Sequence, residues 1–313
     1  MTRRSAAWLA LQGIVTVTLL VFLARRLDVA VMQALIARIP LSFYLISLGA
    51  VLAGQVAYAW RWRLLLTAAG VSVPFTKVLR QYFVGIFVNN FLPSTVGGDV
   101  AKVYYLGQVH GFRTVGASIA IDRILGVGLM AVLATTALWL SPISAPRLTA
   151  ALVACAGITV VAATLLILTG HGTGGMAARV RPLGERAVTL AEVLQRLRLD
   201  MAAPLRRPAV VAQAAAVVIG YALAMTVVYL RFAALQNAPV APFVAMFAVV
   251  TATIVLSNVP IALNGLGLRE QLHASLLAPL AISPETAVAI SLLLYAHLLV
   301  GSLIGLAFWL RAR

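Results

Sequence analysis

The sequence is short of charge, cysteine and histidine, and each shortage excludes a class of protein. Only 10% of the 313 residues are charged, whereas soluble domains carry about 25%. The single cysteine, Cys155, excludes a disulfide within the chain. The four histidines are scattered without the spacing of metal ligands. No Ser/His/Asp set stands out, and the Gly-rich turns lack the Lys-Ser/Thr of a nucleotide loop. The sequence therefore predicts no catalytic residue, no metal and no cofactor.

Apolar residues make up most of the sequence. Hydrophobic side chains account for 62% of the chain, and several apolar segments reach the roughly 20 residues that a membrane span needs. Arg3-Arg4 precede an apolar run at 6–24 that lacks a small-x-small cleavage site, which is typical of an uncleaved first helix. The sequence predicts an all-α polytopic membrane protein with a single integral membrane domain over residues 1–313.

Basic residues outnumber acidic ones, and the formal net charge is +16. They cluster at the ends of apolar segments, which favours the positive-inside rule over a nucleic-acid partner. The Trp60-Arg61-Trp62-Arg63 run indicates an aromatic and basic belt at the headgroup boundary. The only long polar stretch, 170–208, includes a basic loop at 179–207 with helical apolar spacing. We predict an amphipathic helix here that contacts anionic lipid headgroups on the cytoplasmic surface; a solvated linker helix is the alternative.

Two apolar segments are interrupted in the middle. The run at 82–92 ends in Asn89-Asn90 before Pro93 and Gly97-Gly98-Asp99, and it is too short to span a bilayer alone. The run at 240–259 is interrupted by Asn258 and Pro260. Broken backbone at membrane depth is tolerated only where protein or water satisfies it, and in transporters such breaks often form the substrate site. Both segments therefore predict re-entrant hairpins.

The two breaks recur at matching positions. Pro93 lies 52 residues after Leu41 (93 − 41), and Pro260 lies 51 after Ala209 (260 − 209). The sequence thus predicts six full spans and two re-entrant hairpins in an inverted repeat, with both termini cytoplasmic. The predicted parts are an N-terminal helix and link (1–40), repeat one (41–140, break at 89–99), a connecting helix and basic loop (141–208), and repeat two (209–313, break at 258–270). Coincidence is the alternative, because Pro and Gly are common in membrane helices.

Charges inside the predicted membrane region mark a candidate site, since each costs about 3 kcal/mol or more. Asp122 and Arg123 lie within a predicted span, where they serve either a phosphate site or the packing between helices. Glu270 either lines the site or pairs with an arginine. The predicted substrate-binding residues are Arg80, Asn89, Asn90, Pro93, Gly97, Gly98, Asp99, Lys102, Asp122, Arg123, Asn264, Gly265, Gly267, Arg269 and Glu270.

These residues also carry a family resemblance. The pattern N-N-x-L-P-x-x-x-G-G-D-x-x-K from Asn89, then S-I-x-x-D-R from Ser118 and PIALNGLGLRE from Pro260, resembles the membrane region of lysylphosphatidylglycerol synthases and the wider flippase-like family. The resemblance implies a lipid translocase of the bacterial inner membrane that moves an anionic or polar-headgroup lipid. Some relatives add a soluble aminoacyl-transferase domain; the sequence ends at Arg313, so we do not expect synthase activity.

Two other functions stay open at this point. One is a membrane glycosyltransferase that acts on a lipid-linked sugar, although metal-binding carboxylate motifs are not found. The other is a non-catalytic subunit of a lipid-synthesis pathway. A transporter is favoured over an enzyme. A partner enzyme of a lipid pathway, a homo-oligomer and the identity of the lipid are left open by the sequence.

Overall fold

The computed structural model describes residues 27–91, 97–169, 185–258 and 265–311, with a few more between 14 and 25. These residues form helices and connecting turns, without strands among them. The helices are α1 (Val29–Ala37), α2 (Leu41–Ala68), α3 (Phe75–Phe91), α4 (Gly97–His110), α5 (Phe112–Trp139), α6 (Pro146–Thr169), α7 (Glu185–Leu205), α8 (Pro208–Leu235), α9 (Phe243–Ser257), α10 (Leu268–Leu277) and α11 (Pro284–Leu310), with a 3₁₀ turn at Ala278–Leu280.

Five of the described helices, α2, α5, α6, α8 and α11, are long and apolar enough to cross a membrane. The chain is therefore a multi-pass membrane protein. The predicted first span at 6–24 lies mostly outside the described residues. α1 follows it and is capped by Asp28, whose Oδ1 accepts hydrogen bonds from the amides of Ala30 (2.8 Å) and Val31 (3.2 Å). Such a cap satisfies amides that lack a partner within the helix.

Each predicted break separates two helices shorter than the spans. α3 has 17 residues and α4 has 14, while α9 has 15 and α10 has 10. At 1.5 Å per residue, α3 is about 26 Å long and α10 about 15 Å. The spans that flank these pairs, α2, α5 and α8, have 28 residues each, and α11 has 27. The order span, short helix, short helix, span thus occurs twice.

The two sets of four helices also pack in the same way. Within each set, the two short helices contact each other and the second short helix packs on the following span. Between the sets, α3 packs along α11, α9 packs along α5, and α2 packs along α8. The contact of α3 with α11 thus corresponds to the contact of α9 with α5, and α2 and α8 occupy corresponding places in their own contact. We call α2–α5 the first half and α8–α11 the second half.

The seam between α3 and α11 is tight. A Cβ at Gly305 would lie 2.1 Å from the carbonyl oxygen of Phe83, so only glycine fits at that crossing. Gly301 stands one turn earlier, which gives the Gly-x-x-x-Gly spacing of closely packed membrane helices. The Asn90 amide donates a hydrogen bond to Ser302 Oγ in the same seam.

The predicted headgroup belt at residues 60–63 is wrong for two of its four members. α2 continues to Ala68, so the run lies inside a helix. Arg61 and Trp62 are buried, and both contact α5: Arg61 bonds to Asp122, and Trp62 Nε1 donates to Ser118 Oγ at 3.1 Å. Both side chains thus donate hydrogen bonds to protein groups of α5 instead of to headgroups.

α7 forms within the predicted basic loop and is longer than predicted. It packs against α5, α6 and α8, and it buries Ala191, Ala202 and Leu205. At its end Asp200 Oδ2 accepts hydrogen bonds from Arg113 Nε (2.9 Å) and Thr114 Oγ1 (3.1 Å). Because α7 leads into α8 and contacts the start of α5, it lies across one end of the bundle, which we call the basic end.

Candidate functional site

A cavity of about 350 Å³ lies between the two halves. Its wall contains residues of α2, α3, α4 and α5 from the first half and of α8, α9, α10 and α11 from the second. Asp122 lines it ten residues into α5, which is about 15 Å from the start of that helix. The cavity therefore extends to the middle of the spanning helix α5, and the inner ends of the short helices α3, α9 and α10 contribute to its wall.

The first ionic cluster is centred on Asp99, in the first turn of α4 behind the cavity wall. Asp99 Oδ1 accepts from Lys102 Nζ at 3.1 Å, and Oδ2 accepts from Arg123 Nε at 2.8 Å. Arg123 Nη1 in turn donates to Asn258 Oδ1 at 2.9 Å. Because Asn258 ends α9, this chain of bonds joins the first broken segment to the second.

The second ionic cluster joins α2 to α5. Arg61 Nε donates to Asp122 Oδ1 at 2.8 Å, and Nη2 donates to the Asp122 carbonyl at 3.3 Å. The guanidinium lies against Gly126, where a Cβ would come within 2.9 Å of Nη2 and 3.0 Å of Nη1. The ring of Tyr58 lies 4.7 Å from the guanidinium carbon. Glycine at 126 therefore makes the room in which Arg61 lies.

The Lys102 side chain lies against small and aromatic residues. Its ammonium lies 4.6 Å from the ring centroid of Tyr82 and 5.5 Å from that of Trp62, distances typical of cation–π contacts. A Cβ at Gly85 would lie 2.6 Å from Lys102 Cε. Asn89 Oδ1 accepts from the amide of Gly98 at 2.7 Å. This bond ties the end of α3 to the start of α4, so it fixes the position of Lys102.

The second half contributes a cation and a neutral network. Arg269 lines the cavity, with its guanidinium carbon 6.0 Å from the ring of Tyr295. Its carbonyl accepts from His273 Nδ1 at 2.6 Å. A carbonyl can only accept, so Nδ1 carries the hydrogen, and His273 Nε2 then accepts from the Tyr229 hydroxyl. A neutral imidazole with its hydrogen on Nδ1 makes both of these bonds.

Glu270 is fully buried but is outside the cavity wall. Its Oε2 accepts from the amide of Gly267 at 2.7 Å, and its Oε1 accepts from Ser291 Oγ at 2.9 Å. The first bond caps α10 and the second attaches α10 to α11. Gly265 and Gly267 have φ of 72° and 80°, a backbone region that favours glycine. Glu270 thus holds the helix start that carries Arg269.

The cavity wall repeats between the halves. Residues 168 apart (250 − 82) line it in four pairs on α3 and α9: Tyr82 with Val250, Ile86 with Ile254, Asn89 with Ser257, and Asn90 with Asn258. On α4 and α10, Lys102 corresponds to His273, which is 171 residues later (273 − 102). On α5 and α11, Asp122 and Gly126 correspond to Leu294 and Leu298 at 172 (294 − 122). Equivalent positions of the two halves thus face one space.

The structure brings many of the predicted site residues together. Those in the cavity wall are Asn89, Asn90, Lys102, Asp122, Arg123 and Arg269. Asp99 pairs with two of them from behind, and Gly97, Gly98, Gly265 and Gly267 form the starts of α4 and α10. Arg80 is exposed and outside the wall, as Glu270 is. Pro93 and Asn264 lie outside the described residues.

Sequence reasoning missed Arg61 and the polar face of α2. Gln55, Tyr58 and Arg61 all line the cavity, and their spacing of three residues places them near one side of a helix. That spacing was visible in the sequence, but the neighbouring tryptophans favoured a headgroup belt. Tyr221, Tyr229 and His273 gave no such signal, since isolated aromatic residues in apolar helices are usually core.

A comparison with protein-family models shows which family this chain belongs to. The family model described as the lysylphosphatidylglycerol synthase TM region matches residues 9–305. The chain belongs to this family. Membership agrees with the resemblance of its two broken segments. Because the family is defined on the transmembrane region of a lipid-modifying synthase, membership carries the membrane fold and leaves the activity to be argued from the site.

Two curated relatives match a shorter part. A UPF0104 membrane protein (PH1989) from Pyrococcus horikoshii is 32% identical over 97 residues, which is 30% of this chain and 29% of the relative. A UPF0104 membrane protein from Methanothermobacter thermautotrophicus is 33% identical over 85 residues, or 26% and 24%. The match thus spans less than a third of either relative. No solved structure matches the chain.

Proposed function

We propose that this protein is a lipid translocase of the bacterial inner membrane, which moves a lipid with an anionic or polar headgroup. The observation that carries the proposal is the charged cavity where the two broken segments meet. Intramembrane charges are expensive, and they persist where they contact water, a substrate or each other. Here Lys102, Arg123 and Arg269 share one cavity with Asp122, between short helices of the kind that form transporter sites.

In this proposal the headgroup crosses the membrane through the cavity while the lipid tails stay in the bilayer. Arg123 and Arg269 bind the phosphate, because a planar guanidinium can donate to two oxygens at once. Asp99 orients Arg123 through its 2.8 Å bond. Asn89, Asn90 and Asn258 supply neutral hydrogen-bonding groups to the rest of the headgroup.

The proposed topology has six full spans, two re-entrant hairpins in an inverted repeat, and cytoplasmic termini. The matched packing of the two halves supports the repeat. Several helix ends at the basic end carry basic residues, which are Arg63, Lys77, Arg113, Arg206 and Arg207. α11 also ends there, since Trp309 Nε1 donates a hydrogen bond to Tyr105 near the end of α4. Fewer of the described basic residues lie near the opposite helix ends, namely Arg25, Arg38, Arg147 and Arg231. This bias agrees with the positive-inside rule, to which Arg25 and Arg38 are exceptions.

Cysteine labelling tests this topology. Single cysteines at Arg3, Arg196 and Arg313, in a Cys155→Ala background, should resist a membrane-impermeant thiol reagent in intact cells. A cysteine at Arg147, which the proposal places outside, should be labelled and serves as the positive control. Labelling at Arg313 alone would contradict the second hairpin, because one fewer re-entrant segment would move the last helix end to the other side.

The Arg269→Lys variant tests the translocase. It keeps the charge but loses the two-pronged guanidinium, so we expect at least about a tenfold slower translocation of a labelled phospholipid with little loss of thermal stability. The assay is exchange of fluorescent phospholipids between the leaflets of proteoliposomes. Arg80→Lys is the matched control, since Arg80 is exposed and outside the cavity.

Normal translocation by both Arg269→Lys and Asp99→Asn would refute the phosphate cavity. Unfolding of both would instead favour a packing role for these charges. A glycosyltransferase would release or transfer sugar from a lipid-linked donor without moving phospholipid, and a non-catalytic subunit would do neither in purified form.

The basic end is a second proposed contact with lipid. The exposed Arg196, Arg206 and Arg207 belong to or border α7, and we expect them to bind anionic headgroups of the cytoplasmic leaflet. Their replacement by glutamine should weaken binding to vesicles that contain anionic lipid, with less effect on neutral vesicles.

A further inference from the structure

The cavity has more positive than negative side chains. Four cations belong to its wall, Arg61, Lys102, Arg123 and Arg269, against the carboxylates of Asp122 in the wall and Asp99 behind it. Four cations against these two carboxylates leave an excess of two, which falls to one when the buried carboxylate of Glu270, next to Arg269 in sequence, is counted. Both oxygens of Asp99 already accept from Lys102 and Arg123, and Asp122 keeps Oδ2 beside its bond to Arg61.

The undescribed residues at the two breaks do not change this balance. Residues 92–96 read LPSTV and residues 259–264 read VPIALN. Neither stretch contains an ionisable side chain. His273 adds no charge while its Nδ1 donates to the Arg269 carbonyl and its Nε2 accepts from Tyr229. The described side chains around the cavity thus keep at least one more cation than carboxylates.

Three buried polar atoms of the wall have no hydrogen-bond partner among the described residues: Arg61 Nη1, Thr253 Oγ1 and Ser257 Oγ. Arg61 and Thr253 are each only 4% exposed. Leaving such atoms unpaired costs about 1–3 kcal/mol each. Ser257 lies near Arg269. A Cβ added at Gly265 would lie 3.7 Å from Ser257 Cβ and 3.8 Å from Arg269 Nη2. The wall thus has one unpaired cationic donor and two unpaired hydroxyls.

We propose, resting on the translocase function above, that the cavity selects a net-anionic phospholipid whose headgroup carries hydroxyls, and rejects a cationic aminoacylated headgroup. The guanidinium of Arg61 binds the phosphate through its unpaired Nη1, in addition to Arg123 and Arg269. Thr253 and Ser257 bind the headgroup hydroxyls, since each serine or threonine hydroxyl can both donate and accept. A lysylated headgroup brings two ammonium groups to a site with an excess of positive charge, and like charges in such a site repel strongly.

Lipid exchange in proteoliposomes tests the charge selection. The vesicles are phosphatidylcholine with a trace of acyl-chain-labelled phosphatidylglycerol, phosphatidylethanolamine or lysylphosphatidylglycerol, so that each headgroup stays intact. We expect phosphatidylglycerol to exchange at least about tenfold faster than lysylphosphatidylglycerol, with phosphatidylethanolamine between them. A second readout is the rise in Tm of the detergent-purified protein on addition of each unlabelled lipid, which does not require transport.

A pair of variants on one helix separates binding from packing. Thr253→Val removes an unpaired hydroxyl, so the lipid-free protein should be as stable as the parent or more stable, while the rise in Tm with phosphatidylglycerol falls by about half or more. Thr251→Val is the control. Thr251 is also buried on α9, but its Oγ1 donates to the Phe247 carbonyl at 2.7 Å and it is outside the cavity wall. Its loss should lower Tm and leave the response to lipid unchanged.

The outcomes distinguish the two proposals. Equal or faster exchange of lysylphosphatidylglycerol overturns the charge selection and leaves the translocase intact. Exchange of no lipid above protein-free vesicles overturns the translocase, and the Tm response then decides the headgroup site by itself. A Thr253→Val protein that responds fully to phosphatidylglycerol overturns the assignment of the hydroxyls.

Discussion

The two halves of the molecule share a packing scheme but differ in what they do with charge. In both, the third residue of the second short helix is a carboxylate, Asp99 in α4 and Glu270 in α10. Asp99 binds two cations of the cavity, whereas Glu270 binds the Gly267 amide and the Ser291 hydroxyl. Equivalent carboxylates therefore serve ionic pairing in one half and helix capping in the other.

The difference extends to the neighbouring positions. Where the first half has Lys102 and Asp122, the second has His273 and Leu294. The second half adds the cation Arg269, which the Glu270 cap holds in place. The comparison teaches that a shared backbone plan does not require a shared role: the first half supplies most of the charged wall, and the second supplies one cation on a neutral frame.

The largest effect is expected from making the first half resemble the second at one position. Asp122→Leu introduces the residue found at the equivalent position 294 and leaves Arg61, whose side chain is 5% exposed, without its carboxylate. Breaking a buried pair in this way costs about 3–5 kcal/mol. Thermal unfolding in detergent measures the loss.

The double variant Arg61→Met/Asp122→Leu is the control for that experiment. Removing both charges should recover most of the stability, because no unpaired buried charge is left. It should still translocate phospholipid more slowly than the parent. A single variant as stable as the parent would show that Arg61 does not depend on Asp122.

The next largest effect concerns the seams between the halves. Gly305→Ala would place a Cβ 2.1 Å from the Phe83 carbonyl oxygen, and such overpacking costs about 1–3 kcal/mol. Gly301→Ala is the control, since the nearest atoms lie 3.9 Å away. Equal Tm values for the two alanine variants would contradict a glycine-dependent seam.

The smallest effect on stability, and the sharpest functional contrast, is expected from neutralising the two equivalent carboxylates. In Glu270→Gln the amide oxygen can still accept from Gly267, so we expect a cost of about 1 kcal/mol or less and normal translocation. Asp99→Asn should slow translocation, because Lys102 and Arg123 lose the charge that holds them. Equal translocation rates for the two variants would remove the functional distinction between the halves.

Much of the fold could be predicted from the sequence because it depends on local signals. The breaks follow Asn89-Asn90 and Asn258, and the long apolar runs correspond to α5, α6, α8 and α11. The amphipathic spacing after Leu183 predicted a helix that the structure confirms as α7. Composition and helix-breaking residues decide these features without reference to the rest of the chain.

The site was harder to predict because it depends on which faces meet. Arg61 and Asp122 are both visible as charges, but only the packing of α2 on α5 joins them. Glu270 and Asp99 occupy similar sequence contexts, yet the serine at position 291 gives Glu270 a different partner. Arg80 is near the first break in sequence, but it lies in the second turn of α3, where it is exposed and outside the wall.

The way the halves interlock limits how the protein can move. α3 and α9 each pack along the final span of the opposite half, so rocking one half as a rigid body would have to separate Phe83 from Gly305 and Asn90 from Ser302. α4 and α10 pack chiefly on helices of their own half. For the proposed translocase we therefore expect alternating access to come from tilting of α4 and α10, while α3 and α9 stay fixed and keep the two halves joined.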